Sequence, residues 1–452
     1  MSLSVVLLLL SATPVDAPLA EPAQPPPPPL AWPNYVVPAL ENGAICFGLL
    51  AFSNVVTHED FALVTSETIK TNLKLSSWTI DQDLFTTNQF GHALQGNYQF
   101  NTARSSGLGF WTSALYATIT SLLWELVFES EAPSVNDQIT TPIAGSLLGE
   151  ALHRAGLQLR TTDRGPKWLN MIGAFLVDPF GLINHELLGP SSQRTEAEPL
   201  FVRFRFGASA QLLLAQTEQP SSPSPPQGLV EVLLVSGVPW NHESTYGAPL
   251  SYFDLRANLI LPFKPGAEIF VHGMLVGQRF GKEGAWGLFG VYDYSSANSV
   301  RASGVGLGPG VVFQSRPFTG WYLQTAATLA GSPFAAAGKF EAPADQGRNY
   351  HVGVGMQASL DLRLIRPNAF QFELTARHWL VMGTYLLPNG FEAVTWVTAG
   401  ATVPIVPWLG VGADVTIADR RAVFEGVPRV GDVSLAARLF VTVMSLPNFG
   451  IR

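Results

Sequence analysis

The strongest constraint on the fold is a two-residue alternation that recurs through the second half of the chain. In the stretch 352–364, VGVGMQASLDLRL, aliphatic residues hold every second position, and Gly, Gln, Ser, Asp and Arg hold the positions between them. Successive side chains of a strand point to opposite faces, so this pattern predicts one apolar face and one polar face. The stretch is longer than a globular strand of about five or six residues, and it matches a tilted strand that crosses a bilayer.

The same alternation returns at 202–211, 370–379, 409–418 and 433–443, and turn-forming sequences such as LPNG at 387–390 separate the repeats. We therefore expect about twelve strands over residues 198–446, since bacterial single-chain barrels have even strand numbers. Their expected starts lie near residues 200, 228, 251, 267, 284, 302, 319, 351, 369, 391, 408 and 432. The pattern predicts a transmembrane antiparallel β-barrel. A soluble all-β sandwich with a helical domain is the alternative that the same alternation allows.

The composition also favours a membrane barrel. Hydrophobic residues make up 47% of the chain, charged residues only 13%, and the mean hydropathy is +0.21. Of the two best apolar runs after the N-terminus, 44–56 is too short to cross about 30 Å of hydrocarbon, and 110–128 is interrupted by Ser, Thr and Glu125. The net charge of −8 argues against nucleic-acid binding, and the single cysteine, Cys46, excludes an internal disulfide.

The first residues predict export. Residues 1–17 have an apolar core at 5–10 followed by small residues, as in a signal peptide, although no Lys or Arg precedes that core. Residues 18–34, with the run EPAQPPPPPLAWP, predict an extended proline-rich linker. We expect a protein of the bacterial outer membrane, with outer-membrane lipid as its partner.

Residues 35–190 lose the alternation and predict a helical domain. The stretch 110–129 reads as one helix whose polar face holds Thr118, Ser121, Glu125 and Glu129. A second helix is expected at 140–156, where small residues allow close helix contact, and a third at 166–189, broken at Pro179. Buried carboxyl groups on such helices need partners, because an unpaired buried charge is costly.

Four stretches of this domain carry a resemblance to a known family. They are IDQDLFTTNQFGHALQGNYQFNTARSSG at 80–107, SLLWELVFE at 121–129, PSVNDQITTPIAG at 133–145 and LLGEALHR at 147–154. Together, over a core of 75–154, they resemble an uncharacterised bacterial family, domain of unknown function 3943. Ala93 stands where that family often has proline. The resemblance implies an exported protein with a β-rich remainder, and it implies no known activity.

The matching positions supply the candidate site residues, which share polar side chains and fall within 81–150. These are Asp81, Asp83, Asn88, His92, Tyr98, Arg104, Ser121, Glu125, Ser134, Asp137 and Glu150. In one interpretation they form a structural lock, in which Arg104 bridges Asp81 or Glu125 and His92 caps a helix or bonds a backbone carbonyl.

Two functional interpretations remain open beside the lock. In the first, an envelope lipid or glycan hydrolase or acyltransferase uses His92 with Asp81 or Asp83 as base and orienting group, and Ser105, Ser106 or Ser121 supplies a hydroxyl. In the second, which is a binding or transport role, the helical domain plugs the lumen, or binds a lipid, another small ligand or an ion. Asp81, Asp83, Asn88 and His92 would then supply oxygen and imidazole ligands. We expect the lock rather than catalysis, with no cofactor and no metal.

Overall fold

The computed structural model describes residues 32–81, 83–162, 166–189, 200–216, 225–240, 246–261, 266–297, 300–339, 350–383, 389–426, 428–446 and 448–450. The predicted signal peptide and residues 18–31 of the predicted linker lie outside these ranges. Residues 32–34, predicted as the end of the linker, are helical. The chain divides into a helical unit before residue 198 and a unit of strands after it.

The helical unit contains seven described α-helices. They are α1 (Trp32–Phe52), α2 (Ser66–Asn72), α3 (His92–Ser105), α4 (Phe110–Leu123), α5 (Val135–Thr161), α6 (Lys167–Val177) and α7 (Pro179–Leu188). The helix predicted over 110–129 continues beyond α4 only as a π-helical turn, Trp124–Phe128. The break predicted at Pro179 is present as a bend of 114° between α6 and α7. Asp178 caps α7 by accepting a hydrogen bond of 2.9 Å from the Gly181 amide, and Pro179 occupies the first helical position.

The prediction that no helix is long and apolar enough to cross a membrane is wrong for α1. With the π-helical turn that follows it, α1 forms a continuous helix of 24 residues over Asn34–Thr57. Its most apolar stretch of 18 residues has a mean hydropathy of 1.5, which meets that test by length and composition. The sequence run was cut short at Glu41 and Asn42. In the structure Asn42 donates to the Gln99 carbonyl and Glu41 accepts from Asn184, so both polar groups turn inward and the apolar outer surface continues past them.

Two glycines set the distance between α3 and α5. A Cβ atom added to Gly96 would lie 1.8 Å from the Thr141 carbonyl oxygen, and one added to Gly145 would lie 2.4 Å from the Gly96 carbonyl carbon. Neither position can therefore hold a larger residue without moving a backbone. The helices run in the same direction, so His92 lies near Asp137 and Arg104 lies near Glu150.

The second unit is a closed antiparallel barrel of twelve strands, which confirms the predicted fold class and excludes the sandwich. The strands are β1 (Leu200–Gln216), β2 (Gln227–Ser236), β3 (Phe253–Leu261), β4 (Gly266–Phe280), β5 (Gly284–Ala297), β6 (Val300–Ser315), β7 (Tyr322–Lys339), β8 (Tyr350–Arg366), β9 (Phe370–Met382), β10 (Gly390–Val406), β11 (Leu409–Phe424) and β12 (Val430–Met444). Each pairs with its neighbours in sequence, and β1 pairs with β12. No strand starts more than three residues from its predicted position.

The faces of the barrel follow the predicted alternation. In β8, Gln357, Ser359 and Asp361 are buried, whereas Val354 and Met356 are exposed. The same holds along β11 and β12, where the outward side chains of Val411, Val415, Ile417, Leu439 and Val441 are exposed. Over much of the barrel, polar side chains thus point into the lumen and apolar ones point out, so the barrel is of the outer-membrane type.

The end of the barrel where β1 begins and β12 ends is called the terminal end below. Three strand connections at this end are short, at 281–283, 367–369 and 407–408. The connection between β2 and β3 is longer, and its residues Tyr246 and Tyr252 are buried with Met274 and Phe289 in one cluster. The terminal end is therefore partly filled by this connection.

Candidate functional site

The predicted site residues do not form one cluster, because they separate into two groups along α5. Asp137 lies in the first turn of α5 and Glu150 lies thirteen residues later, which places them about 20 Å apart along the helix axis. Arg104 contacts Glu150, so the predicted bridge from Arg104 to Asp81 or Glu125 is wrong. The sequence showed which charged groups needed partners, but the packing of α3 on α5 determines which of them form ion pairs.

The first group is a buried clamp formed by Arg104, Glu150 and Arg154. Arg104 Nε donates to Glu150 Oε2 at 2.6 Å and Nη2 donates to Oε1 at 3.2 Å, while Arg154 Nε donates to Oε1 at 2.9 Å. Burial acts to raise the pKa of Glu150, but the two guanidinium groups outweigh it and lower that pKa to about 2. The carboxylate is therefore ionised at neutral pH, and the clamp joins α3 to α5 through charge-assisted hydrogen bonds.

The second group, called the acidic group below, contains Asp81, Glu125, Glu129 and Asp137. Glu125 lies in the π-helical turn after α4, and its Oε2 accepts a hydrogen bond of 2.7 Å from the Ser134 amide. Burial and the like charges of Glu129 and Asp137 raise the pKa of Glu125 to about 9. Burial likewise raises the pKa of Glu129 to about 8, with Asp137 adding to the shift.

Asp137 and His92 complete this region. Burial raises the pKa of Asp137, and the neighbouring His92 and Ser134 only partly oppose it. His92 Nε2 lies 3.6 Å from Asp137 Oδ1, and Nδ1 lies 3.3 Å from Thr141 Oγ1. The predicted helix cap or carbonyl contact is thus replaced by two side-chain neighbours. At neutral pH, Glu125 and Glu129 are therefore mostly protonated.

Several other predicted residues support the backbone around the acidic group. The Asp81 amide donates to Asn136 Oδ1 at 2.8 Å, Asn88 donates to the Asp81 carbonyl at 3.4 Å, and Asp83 accepts from the Leu84 amide at 2.7 Å. Ser134 caps α5 by accepting from the Asp137 amide at 3.2 Å. These bonds hold the backbone before α3 and at the start of α5.

Two predicted residues lie in packing positions. The Tyr98 ring meets the Phe180 ring edge to face, with centroids 6.3 Å apart. Ser121 is buried in α4. Each therefore belongs to the interior of the helical unit.

The arrangement that the enzyme hypothesis needs is not assembled. His92 contacts Asp137 and Thr141 rather than Asp81 or Asp83. Ser105 and Ser106 lie at the other end of α3, about 20 Å from His92 along the helix. There Ser106 donates to the Thr102 carbonyl at 2.8 Å, and Ser105 accepts from Asn184 at 2.7 Å. Among the described residues, no group of three or more His, Cys, Asp and Glu side chains is arranged to hold a metal ion.

Sequence reasoning missed a third buried set around Asp178. His153 Nδ1 lies 2.8 Å from Asp178 Oδ2, and Arg160 Nη1 donates to the same oxygen at 3.1 Å. Burial acts to raise the pKa of Asp178, but His153, Arg160 and the Gly181 amide outweigh it and lower that pKa below its usual value. The Asp-Pro pair signals a helix start, but the contact with α5 depends on the bend between α6 and α7.

In the barrel, charged side chains reach across the lumen. Arg203 of β1 donates to Glu373 of β9 at 2.7 Å, and Arg205 pairs with the same carboxylate, although three strands separate β1 from β9. Arg256 of β3 lies 3.5 Å from Asp361 of β8, which is farther still around the barrel. These residues form what is called the charged layer below. The described part of the lumen is thus closed at this level by the protein's own side chains.

An aromatic layer adjoins the charged layer. Phe270, Trp379 and Trp396 pack together, with ring centroids 6.2 Å apart for Phe270 and Trp379 and 5.4 Å apart for Phe270 and Trp396. The guanidinium of Arg377 lies 5.4 Å from the centre of the Phe270 ring, so it joins the two layers through a cation–π contact. The interior is filled over more than one level.

On the terminal side of the charged layer, the lumen opens into a cavity, where the space between atoms amounts to about 780 Å³ with open solvent included. Side chains from several strands and from the connection after β2 line this cavity, which is called the vestibule below. The lining includes Phe201, Val235, Val238, Trp240, Tyr252, Asp254, Val312, Gln324, Asp361, Arg363 and Phe449. No local pattern brings these residues together, so the vestibule could not be predicted from the sequence.

Comparison with known families identifies the part of the helical unit that holds these polar residues. Residues 77–180 match the family described as Domain of unknown function (DUF3943). We refer to the matched segment as the DUF3943 domain below. The match confirms the resemblance found in the sequence, and it contains all eleven predicted site residues. The DUF3943 domain therefore holds both the clamp and the acidic group.

Comparison with other proteins adds little beyond that family. No curated protein matches the chain. Among solved structures, the NanC porin shares 11% identity over 54% of this chain and 99% of its own, with a TM-score of 0.27. OmpT, an outer membrane protein of Vibrio cholerae, shares 10% identity over 55% and 99%, with a TM-score of 0.23.

An anion-selective porin from Comamonas acidovorans shares 8% identity over 54% of this chain and 98% of its own, with a TM-score of 0.25. TM-scores this low are not evidence for the fold or the function of this chain. The barrel assignment therefore rests on its own strand pairing.

Proposed function

We propose that this protein is exported to the bacterial outer membrane, where it binds a small molecule in the vestibule of a closed barrel. The DUF3943 domain belongs to a helical unit that acts as a lipid-binding element and not as a catalyst. The observation that carries the proposal is the charged layer, in which Glu373 of β9 holds two arginines of β1 across the lumen. A lumen closed in this way favours ligand binding over free diffusion.

The vestibule has the chemistry of a small-molecule site. Trp240 and Tyr252 contribute aromatic walls, and Asp254 and Arg363 contribute charged groups where the cavity meets the charged layer. Mostly apolar walls with a few converging polar groups are typical of ligand pockets. We expect a partly apolar molecule with one polar group that can hydrogen bond.

In this proposal, the polar residues of the DUF3943 domain have a structural role. Arg104 and Glu150 satisfy each other, and Glu125 and Glu129 hold protons at neutral pH. Because the barrel closes its own lumen, a helical plug is not required to seal it. Of the two roles expected for the helical domain, plugging the lumen and binding lipid, the second is therefore favoured.

Outer-membrane placement has a direct test. Folded outer-membrane barrels keep their structure in detergent until boiled, so the unheated protein should migrate differently from the boiled protein in a detergent gel and should float with lipid vesicles. Identical migration together with recovery in the aqueous phase would contradict the placement.

The vestibule can be tested with 5-fluoroindole, a small aromatic molecule with one hydrogen-bond donor, followed by fluorine NMR on the full chain in detergent micelles. The wild type should show saturable binding, and Trp240→Ala should weaken it at least fivefold. Trp286→Ala is the matched control, because Trp286 is exposed on the outer face of β5. Equal binding by both variants, or no saturable binding by the wild type, would show that the vestibule is not the site.

A further inference from the structure

The helical unit carries its polar side chains inside and many of its large apolar side chains outside. Asn97, Gln99 and Asn101 are buried in α3, and Asn184 is buried in α7. Meanwhile Leu40 of α1 is 68% exposed. In a water-soluble helical domain the buried residues are mostly apolar and the exposed ones mostly polar. The helical unit shows the reverse.

Many of the exposed apolar residues lie on three helices. The set, called the apolar belt below, comprises Leu40 and Phe47 of α1, Trp111 and Leu115 of α4, and Trp168 and Phe175 of α6. Trp111 and Leu115 are four residues apart and so share one side of α4, and the seven-residue spacing of Trp168 and Phe175 does the same on α6. The belt is therefore made of continuous stripes rather than isolated side chains, which are normal on any surface.

The helices of the belt carry almost no charge. The only charged residue of α1 is Glu41, which turns inward to Asn184 at 3.1 Å. Helix α4 has no charged residue, and α6 has only Lys167, at its first position. A surface that faces water would cost little to charge, so this lack of charge points to hydrocarbon as the surrounding medium.

The size and the apolar composition of the exposed surface also favour hydrocarbon as the surrounding medium. The continuous helix Asn34–Thr57 has only 17% of its most apolar window buried, so most of it meets the surroundings of the protein. The outer face of the barrel has the same character, with Val411, Val415 and Leu439 exposed at alternate positions. Both units thus present uncharged aliphatic and aromatic surface outward.

We propose that the apolar belt lies in contact with the acyl chains of a lipid bilayer. This deepens the proposed function and rests on its membrane placement. Within it, buried groups such as those of Asn184, Glu125 and Glu150 hydrogen bond inside the helical unit, as polar groups do inside membrane proteins, because lipid offers no partner. The acyl chains cover the belt, so its exposed side chains need no protein partner.

The test uses the full chain in vesicles of phosphatidylcholine and phosphatidylglycerol, with or without brominated acyl chains. Since Cys46 is the only cysteine, Cys46→Ser provides a background for single cysteines labelled with bimane. The belt positions are Leu40→Cys, Leu115→Cys and Phe175→Cys. Leu439→Cys on the outer face of β12 is the lipid control, and Lys70→Cys on the exposed face of α2 is the water control.

We expect brominated chains to quench the belt labels at least twofold, as at Leu439→Cys, and to leave Lys70→Cys unchanged. Belt labels that behave like Lys70→Cys beside a quenched Leu439→Cys would overturn the inference and leave the barrel placement intact. Belt labels shielded from both lipid and aqueous quenchers, together with disulfide cross-links between copies of the unlabelled cysteine variants, would overturn it in favour of a second copy. An unquenched Leu439→Cys would overturn the membrane placement itself.

Discussion

Glu125 shows at the scale of one residue how burial sets a protonation state. Its carboxyl group is surrounded by Glu129, Asp137 and Asp81, and its pKa of about 9 lies far above the ordinary value of 4.5. Between these two pH values the folded chain holds a proton that the unfolded chain has released. The stabilisation is therefore complete below pH 4.5 and is lost as the pH rises through about 9.

We predict that Glu125→Gln reduces the loss of stability between pH 6 and pH 9, because the amide replaces the protonated carboxyl and cannot ionise. One such group changes the free energy of unfolding by up to about 1.4 kcal/mol per pH unit. The measurement is thermal unfolding of the full chain in detergent by circular dichroism at 222 nm, where the helices dominate the signal. Glu67→Gln, on the exposed side of α2, is the control and should keep the wild-type pH dependence. The same dependence in Glu125→Gln would show that another group is responsible.

Arg104 shows at the same scale what could be predicted from sequence. Its need for a carboxylate partner followed from its place among apolar helices, and the structure provides one. The identity of that partner did not follow, because Asp81, Glu125 and Glu150 are all acidic and all belong to the same segment. Only the parallel packing of α3 on α5 brings Glu150 to Arg104 and leaves Glu125 about 20 Å away along the helices.

At the scale of the elements, the contact between α3 and α5 decides where the polar groups meet. Residues His92 and Arg104 stand at opposite ends of α3, so one close helix pair positions both the acidic group and the clamp. The small residues around Gly145 correctly predicted a close helix contact. The partner, Gly96, was not identified, since a single glycine within a polar stretch has no distinctive pattern.

We predict that Gly145→Ala destabilises the helical unit by about 1–3 kcal/mol, because its Cβ would lie 2.4 Å from the Gly96 carbonyl carbon and the helices must separate. Gly43→Ala on α1 is the matched control. Nothing lies within 4 Å of a Cβ at Gly43, so the better helix propensity of alanine should leave stability unchanged or raise it. The unfolding temperature at 222 nm checks both variants, and equal effects of the two would refute a steric role for Gly145.

At the scale of the whole molecule, the strands were predicted closely and the contents of the barrel were not. Alternation is a local property, so every strand start could be read within three residues. The charged layer joins β1 to β9 and β3 to β8, and such pairs depend on closure of the sheet and on the stagger of its strands. The vestibule depends in addition on the connection that places Tyr252 inside the terminal end.

We predict that the wild-type barrel conducts little current in a planar bilayer and that Glu373→Ala raises the conductance severalfold, with a preference for anions. The substitution removes the carboxylate shared by Arg203, Arg205 and Arg363, so the guanidinium groups repel one another and attract anions. Glu425→Ala, in an exposed turn, is the control and should leave the current unchanged. A large wild-type current that Glu373→Ala does not alter would mean that the charged layer does not close the lumen.

The sequence alone determined the class of this protein: a barrel of about twelve strands after a helical domain, with the DUF3943 signature in the helices. These properties are encoded by periodicity and by ordered motifs, which are local along the chain. The tertiary structure decided which charges pair, that the lumen is closed, where the vestibule lies and which surface of the helical unit is apolar. Each of these depends on contacts between residues far apart in sequence. Several side chains of the same chemistry could make such a contact, and only the packing of the elements determines which of them lies close enough.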